Sequence, residues 1–246
     1  MEKTVEVFVG SNIGGFIIER EGKKFRKARR FLLNENVNSI SMDKDRKIYA
    51  ATLTEGAFSS SDMGRSWKPI SKGLHVRKVW TVEPDPHRRN LLYAGTHYGH
   101  LFRSDDARMS CHEVTGLYRA PLRKEWGVDW AYGTTGLTIH TVKFDPQRKN
   151  RIYISSSGAG LYRSDDLGES WKLVRNGLME DCPAFKSAPR PSKPSTEQDD
   201  LRKHLETVHT CTHKITSAKG GTLYQQNHCG IFMSENSGDR WMDGWM

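Results

Sequence analysis

Ser164-Asp165-Asp166-Leu167-Gly168-Glu169-Ser170-Trp171 is the stretch on which the reading of this chain turns, because it recurs. Ser60-Ser61-Asp62-Met63-Gly64-Arg65-Ser66-Trp67 repeats its serine, aspartate, glycine and tryptophan in register, and Ser234-Glu235-Asn236-Ser237-Gly238-Asp239-Arg240-Trp241 does so with Asn236 in the aspartate place. A further copy begins Ser104-Asp105-Asp106, with Arg108 in place of the glycine and Cys111 in place of the tryptophan. In a turn of this kind Ser and Asp side chains bond backbone N–H groups, glycine takes a backbone shape that other residues resist, and tryptophan packs over the hairpin. Ser60, Asp62, Gly64, Trp67, Ser164, Asp166, Gly168, Trp171, Ser234, Asn236, Gly238 and Trp241 are therefore read as structural staples. A fold can lose one staple, whereas a catalytic group is not expected in four copies.

Two strand-like runs precede each copy. The first is rich in β-branched residues: Val37-Asn38-Ser39-Ile40, Val79-Trp80-Thr81-Val82, Ile139-His140-Thr141-Val142 and Thr212-His213-Lys214-Ile215. The second centres on tyrosine: Ile48-Tyr49-Ala50, Leu92-Tyr93-Ala94, Ile152-Tyr153-Ile154 and Leu223-Tyr224-Gln225. Glycine and an aromatic follow, as in Gly56-Ala57-Phe58 and Gly160-Leu161-Tyr162. Strand, turn, strand, turn, strand, staple, strand is a four-stranded antiparallel unit. One such sheet cannot bury both faces alone, and stacking several about an axis does bury them. The fold class predicted is all-β, a β-propeller of four-stranded blades: a partial blade over 1–32, then 33–74, 75–135, 136–178 and 207–246, in a single domain spanning 1–246. Residues 179–206 interrupt the pattern. Their Lys186-Ser187-Ala188-Pro189-Arg190-Pro191-Ser192-Lys193-Pro194-Ser195 run predicts a mobile inserted loop, and the polar stretch that follows suits a short helix.

With 36% apolar residues, 10% aromatics and 22 glycines among 246 residues, the chain suits one globular domain with many tight turns. The opening Met1-Glu2-Lys3-Thr4-Val5-Glu6-Val7-Phe8 shows no secretory signal pattern. No apolar run approaches the roughly 18 residues a membrane helix needs. Cys111, Cys182, Cys211 and Cys229 lack both a zinc-ligand spacing and a disulfide framework, so they read as reduced thiols of a cytoplasmic protein. The net charge of +9 is scattered apart from Lys23-Lys24-Phe25-Arg26-Lys27-Ala28-Arg29-Arg30. That pattern speaks against nucleic acid as the partner, because a charge run on a strand is more often a solvated face. A carbohydrate or a protein is the expected partner, with neither a cofactor nor a membrane.

The four turns resemble the Asp-box, or bacterial neuraminidase, repeat shared by sialidases, sortilin-type receptors and photosystem assembly factors. Gly10-Ser11-Asn12-Ile13-Gly14-Gly15-Phe16, Leu137-Thr138-Ile139-His140-Thr141 and Leu223-Tyr224-Gln225-Gln226-Asn227-His228-Cys229-Gly230 resemble, more narrowly, sialidase-superfamily proteins labelled glycosyl hydrolases. The resemblance implies a ring of about seven blades, of which this chain supplies about five, either closing as a shorter ring or forming an incomplete one. It also implies a site of three arginines, a tyrosine nucleophile paired with glutamate, and an aspartate acid. The first of those arginines belongs to an Arg-Ile-Pro run that is lacking here; the nearest is Arg151-Ile152-Tyr153, inside a blade. Fold likeness does not carry chemistry with it.

Two groups of residues are candidates for a site. Glu125 and Asp129 are the candidate catalytic carboxylates, in an aromatic loop whose Trp126 and Trp130 offer flat faces to a sugar or simply cover a blade end. His140 and His213 fall in one column of the first strand, aligned with Asn38 and Trp80, and with His228 they are candidate ligand-binding residues. His228 and Cys229 stand together in the last blade, yet no spacing is diagnostic of a metal and none is assigned. The leading reading is a binding scaffold, and the runner-up a glycoside hydrolase of the sialidase superfamily.

Overall fold

The computed structural model describes residues 5–106, 110–121, 123, 137–157, 159–178, 211–218 and 220–244, with residues 27 and 28 described by their backbone alone. Nineteen strands and a short 3-10 helix make up the regular structure of the described residues. The fold class is that of a β-propeller built from five blades, the first three-stranded and the other four four-stranded. Within every blade the strands are antiparallel and lie in chain order.

The chain divides into two compact units, Met1–Glu113 and Val114–Met246. In the first, β1 (Val5–Ser11), β2 (Gly14–Glu21) and β3 (Lys24–Phe31) form one sheet. It is followed by β4 (Val37–Met42), β5 (Ile48–Thr52), β6 (Ala57–Ser60) and β7 (Lys68–Pro69), and then by β8 (Val79–Pro84), β9 (Leu92–Thr96), β10 (Leu101–Ser104) and β11 (His112–Glu113). The second unit holds the 3-10 helix Thr115–Arg119 and two sheets. One is β12 (Ile139–Phe144), β13 (Ile152–Ser156), β14 (Gly160–Ser164) and β15 (Lys172–Leu173); the other is β16 (Lys214–Ser217), β17 (Leu223–Asn227), β18 (Gly230–Ser234) and β19 (Met242–Asp243).

Inside each unit, successive blades pack face to face, β4 against β8 and β12 against β16. Every residue of β5, β9 and β13 is buried, so these strands show no alternation of apolar and polar residues. Two of their tyrosines reach the loop after the first strand. Tyr49 donates to Asp43 at 3.0 Å and Tyr153 to Asp145 at 2.9 Å. Burial pushes all three tyrosine hydroxyls up, that of Tyr93 to about 12. The apolar interior therefore lies between blades: Tyr49, Ala51, Leu74, Val79, Val82 and Phe102 form one cluster, and Tyr153, Leu161, Ile215, Leu223, Phe232 and Trp241 another.

The recurring turns share one hydrogen-bond pattern. Ser60 Oγ donates to Asp62 at 2.7 Å and accepts from the Gly64 N–H at 2.8 Å, while Asp62 accepts from the Ser66 N–H at 2.9 Å. Ser164, Asp166, Gly168 and Ser170 reproduce this, and Asn236 fills the aspartate role by accepting from Ser234 and from the Arg240 N–H, both at 2.9 Å. In the degenerate copy Ser104 and Ser110 still donate to Asp106, each at 2.9 Å. Two consecutive left-handed residues make each turn, Met63-Gly64, Leu167-Gly168 and Ser237-Gly238. The second is glycine because a side chain there would strain the backbone.

The Asp62 carboxyl is held well below the usual carboxylate range, first by the Ser66 hydroxyl, then by the Ser66 N–H and the Ser60 hydroxyl. Partial burial pushes Asp166 up, but bonds from Ser170 and Ser164 outweigh it and its pKa is also lowered. Carboxyls with depressed folded pKa values contribute stability that is present above the unfolded pKa, about 3.9, and is lost as pH falls through the folded values. Chemical denaturation should therefore show stability holding from neutral pH to about pH 4 and falling below it. The Asp62→Asn, Asp166→Asn double variant, which copies the natural Asn236 turn, should flatten that acid limb. An unchanged limb would contradict the assignment.

Candidate functional site

Three of the first strands carry a bulge near their start, between Val37 and Ser39, between Val79 and Thr81, and between Ile139 and Thr141. The extra residues are Asn38, Trp80 and His140. A bulge turns its side chain out of the ladder's regular alternation, which is why bulges gather at functional rims. His213 occupies the corresponding place ahead of β16, and its N–H donates to Gln226 O at 2.9 Å. In the first unit the Asn38 amide donates to the Trp80 carbonyl of the next blade at 2.8 Å. In the second, Thr141 Oγ1 donates to the His213 carbonyl at 3.3 Å. Neighbouring blades are thereby tied together near these positions within each unit.

In the second unit this arrangement gathers imidazoles. The His140 and His213 ring centroids lie 5.2 Å apart, and those of His213 and His228 4.6 Å apart at 77°. The Nε2 atoms of His213 and His228 are 3.0 Å from each other, close enough for one ring's N–H to donate to the other's lone pair. His228 reaches this position from the β17–β18 turn and is exposed, whereas His140 and His213 are half-buried. Burial, and then the His228 charge, lower the pKa of His213. All three sequence-predicted histidines thus meet.

Cys211 joins them, with its Sγ 3.8 Å from His213 Nε2. The thiol beside His228 does not: Cys229 packs against the apolar cluster of Leu223, Phe232 and Trp241. Residues two apart in an extended segment do share a side, and Cys211-Thr212-His213 carries that signal. Cys111, Cys211 and Cys229 are all thiols. Burial, and then the Asp106 charge, push that of Cys111 up to about 11.

A second cluster, not anticipated from the sequence, lies in the first unit. His100 Nδ1 is 2.5 Å from Glu113 Oε1, and His75 Nε2 is 3.9 Å from Glu113 Oε2. The rings of His75 and Phe102 meet edge-on at 4.9 Å. Glu125, Trp126, Asp129 and Trp130, and the inserted segment 179–206, lie outside the described residues. The best-buried carboxylates that are described hold loops together. Asp85 and Asp145, each 3% exposed, accept from backbone N–H groups of His87 and Arg88 and of Gln147 and Arg148.

No protein-family model matches the chain. It is 22% identical over 158 residues to the oligoxyloglucan-reducing end-specific xyloglucanase of Emericella nidulans, covering 64% of this chain and 18% of that protein. It is 24% identical over 156 residues to the probable enzyme of the same name from Neosartorya fischeri, covering 60% of this chain and 18% of that one. The chain thus spans under a fifth of the length of the curated relatives it matches. Among solved structures it resembles an ancestral GH74 enzyme, with TM-score 0.59 and 15% identity over 98% of this chain and 30% of that one. It also resembles YCF48 from Cyanidioschyzon merolae, with TM-score 0.55 and 15% identity over 91% of this chain and 61% of that one. YCF48 bound to D1 peptide gives TM-score 0.52 and 11% identity over 98% and 71%. These structural likenesses establish the fold.

Proposed function

We propose that the chain is a propeller that binds xyloglucan-type oligosaccharides at the first-strand ends within each of its units, without hydrolysing them. The observation that carries this reading is the bulged position of the first strands, which presents Asn38 and Trp80 in the first unit and gathers His140 and His213 in the second. Amide, indole and imidazole groups are what a sugar needs: donors and acceptors for its hydroxyls and a flat face for its ring. The likeness to xyloglucanases supports a carbohydrate as the ligand class. Trp126 and Trp130 belong to the proposal as further platforms, and distant kinship with the sialidase superfamily as its evolutionary setting.

Titration calorimetry with xyloglucan oligosaccharides, paired with an assay for new reducing ends, tests this directly. Saturable heat without new reducing ends is expected, and Trp80→Ala should weaken binding about tenfold, the value of a modest stacking contact. Absence of saturable binding would overturn the reading. The same likeness to xyloglucanases favours one second reading, a glycoside hydrolase using Glu125 and Asp129. It would be indicated by release of reducing ends that disappears in Glu125→Gln.

A further inference from the structure

The cluster of the second unit contains a thiol, which sugar binding does not call for. Imidazole nitrogens and a thiol are borderline-soft donors, the set from which zinc sites are built. One ligand atom each from His140, Cys211 and His213 lies within 4.8 Å of the other two. At bond lengths of about 2.0–2.1 Å to nitrogen and about 2.3 Å to sulfur, a tetrahedral zinc holds its nitrogens about 3.3 Å from one another and about 3.6 Å from its sulfur. The His213–His228 nitrogen separation of 3.0 Å and the His213–Cys211 separation of 3.8 Å are close to those edges.

The backbone around these residues is well determined by the fold. The His213 N–H bonds Gln226 O, its carbonyl accepts from Thr141, and the neighbouring Thr212 is buried with its hydroxyl donating to Gln225. The Nε2 of His140 is shielded from solvent, while His228 faces it, so an ion entering from the His228 side would meet a site closed behind.

We infer that His140, Cys211 and His213 form a binding site for a zinc-like divalent transition metal ion, with the fourth position open on the His228 side. The inference is independent of sugar binding, since it rests on the donor atoms alone. The His75, His100 and Glu113 group lies in the other unit and lacks a thiol, so it could not give a thiolate charge-transfer band.

The full chain, stripped with a chelator under reducing conditions, would be titrated with Zn²⁺ by calorimetry and with Co²⁺ by absorption spectroscopy. One equivalent should bind, and Co²⁺ should give the intense visible bands of a tetrahedral site together with a thiolate-to-cobalt charge-transfer band in the near ultraviolet. Cys211→Ser should abolish the charge-transfer band and weaken Zn²⁺ binding by about 100-fold or more, as should His213→Ala for affinity. His75→Ala should leave the charge-transfer band unchanged. Folding of each variant would be checked by its far-ultraviolet circular dichroism, and the Co²⁺ spectrum of the unsubstituted chain stands whether or not a variant folds. No binding, a Co²⁺ complex without the charge-transfer band, or Zn²⁺ affinity unchanged in a folded Cys211→Ser protein would each overturn the site.

Discussion

Trp241→Ala is expected to destabilise the second unit by about 3–5 kcal/mol, the cost of emptying a large aromatic from a closed interior. Trp241 is fully buried between two blades, among Tyr153, Leu161, Val174, Ile215, Leu223 and Phe232. Those neighbours come from both sheets, so the cavity opens in the contact that holds the unit together. Trp67 occupies the same place in its own turn but is only half-buried, stacked on Phe31 with ring centroids 4.9 Å apart. Trp67→Ala should accordingly cost less. Trp241→Phe separates packing from polarity. It keeps most of the ring and removes an indole N–H that meets no acceptor among the described residues, whereas the Trp171 N–H donates to Gly168 O at 3.0 Å. Its cost should stay below about 2 kcal/mol. Denaturant unfolding monitored by circular dichroism reads all three, and an alanine variant as stable as the parent would contradict the packing described.

Gly177→Ala should be the second severe change, at about 2–5 kcal/mol. Gly177 has φ 88°, and a methyl there would stand 2.2 Å from the Trp241 carbonyl oxygen, a backbone atom that cannot swing aside. Its neighbour Asn176 accepts the Trp241 N–H at 2.9 Å, so the approach is fixed from both sides. Gly220 serves as the control. It too is left-handed, with φ 107°, yet nothing lies within 4 Å of where its Cβ would be. Gly220→Ala should cost only the conformational term of about 1–2 kcal/mol. Equal destabilisation of the two variants would show that the close approach between blades contributes nothing.

The blades were legible because each strand run carries its own signal. β-Branched residues mark β4, β8 and β12, a central tyrosine marks β5, β9 and β13, and the serine–aspartate turn follows β6 and β14. What escaped sequence reading arises between segments. The bulges at Asn38, Trp80 and His140 are properties of two paired strands, and a single strand's residues do not announce them. Lys72-Gly73-Leu74, Thr115-Gly116-Leu117 and Asn176-Gly177-Leu178 are a visible repeat whose meaning appears only when Gly73 is seen against the Cys111 backbone and Gly116 against that of Gly168.

The site divides in the same way. His140 and His213 were found by aligning blades, since equivalent positions in a repeat occupy equivalent places. Cys211 lies two residues before His213 and was readable from the alternation of an extended segment. Glu113 meets His100 only because β11 pairs with β10, placing Glu113 opposite Phe102, and no spacing along the chain encodes that.

The most direct test of the central claim, that the first-strand ends within each unit bind sugar, is a titration of the full chain with a xyloglucan oligosaccharide followed through the imidazole and indole signals of ¹³C,¹⁵N-labelled protein. The account predicts that His140, His213 and His228 of the second unit move together and saturate with one affinity, and that Trp80 of the first unit also moves and saturates. Signals that stay still at those four positions, while His75, His87 or His112 respond or nothing responds, would contradict it.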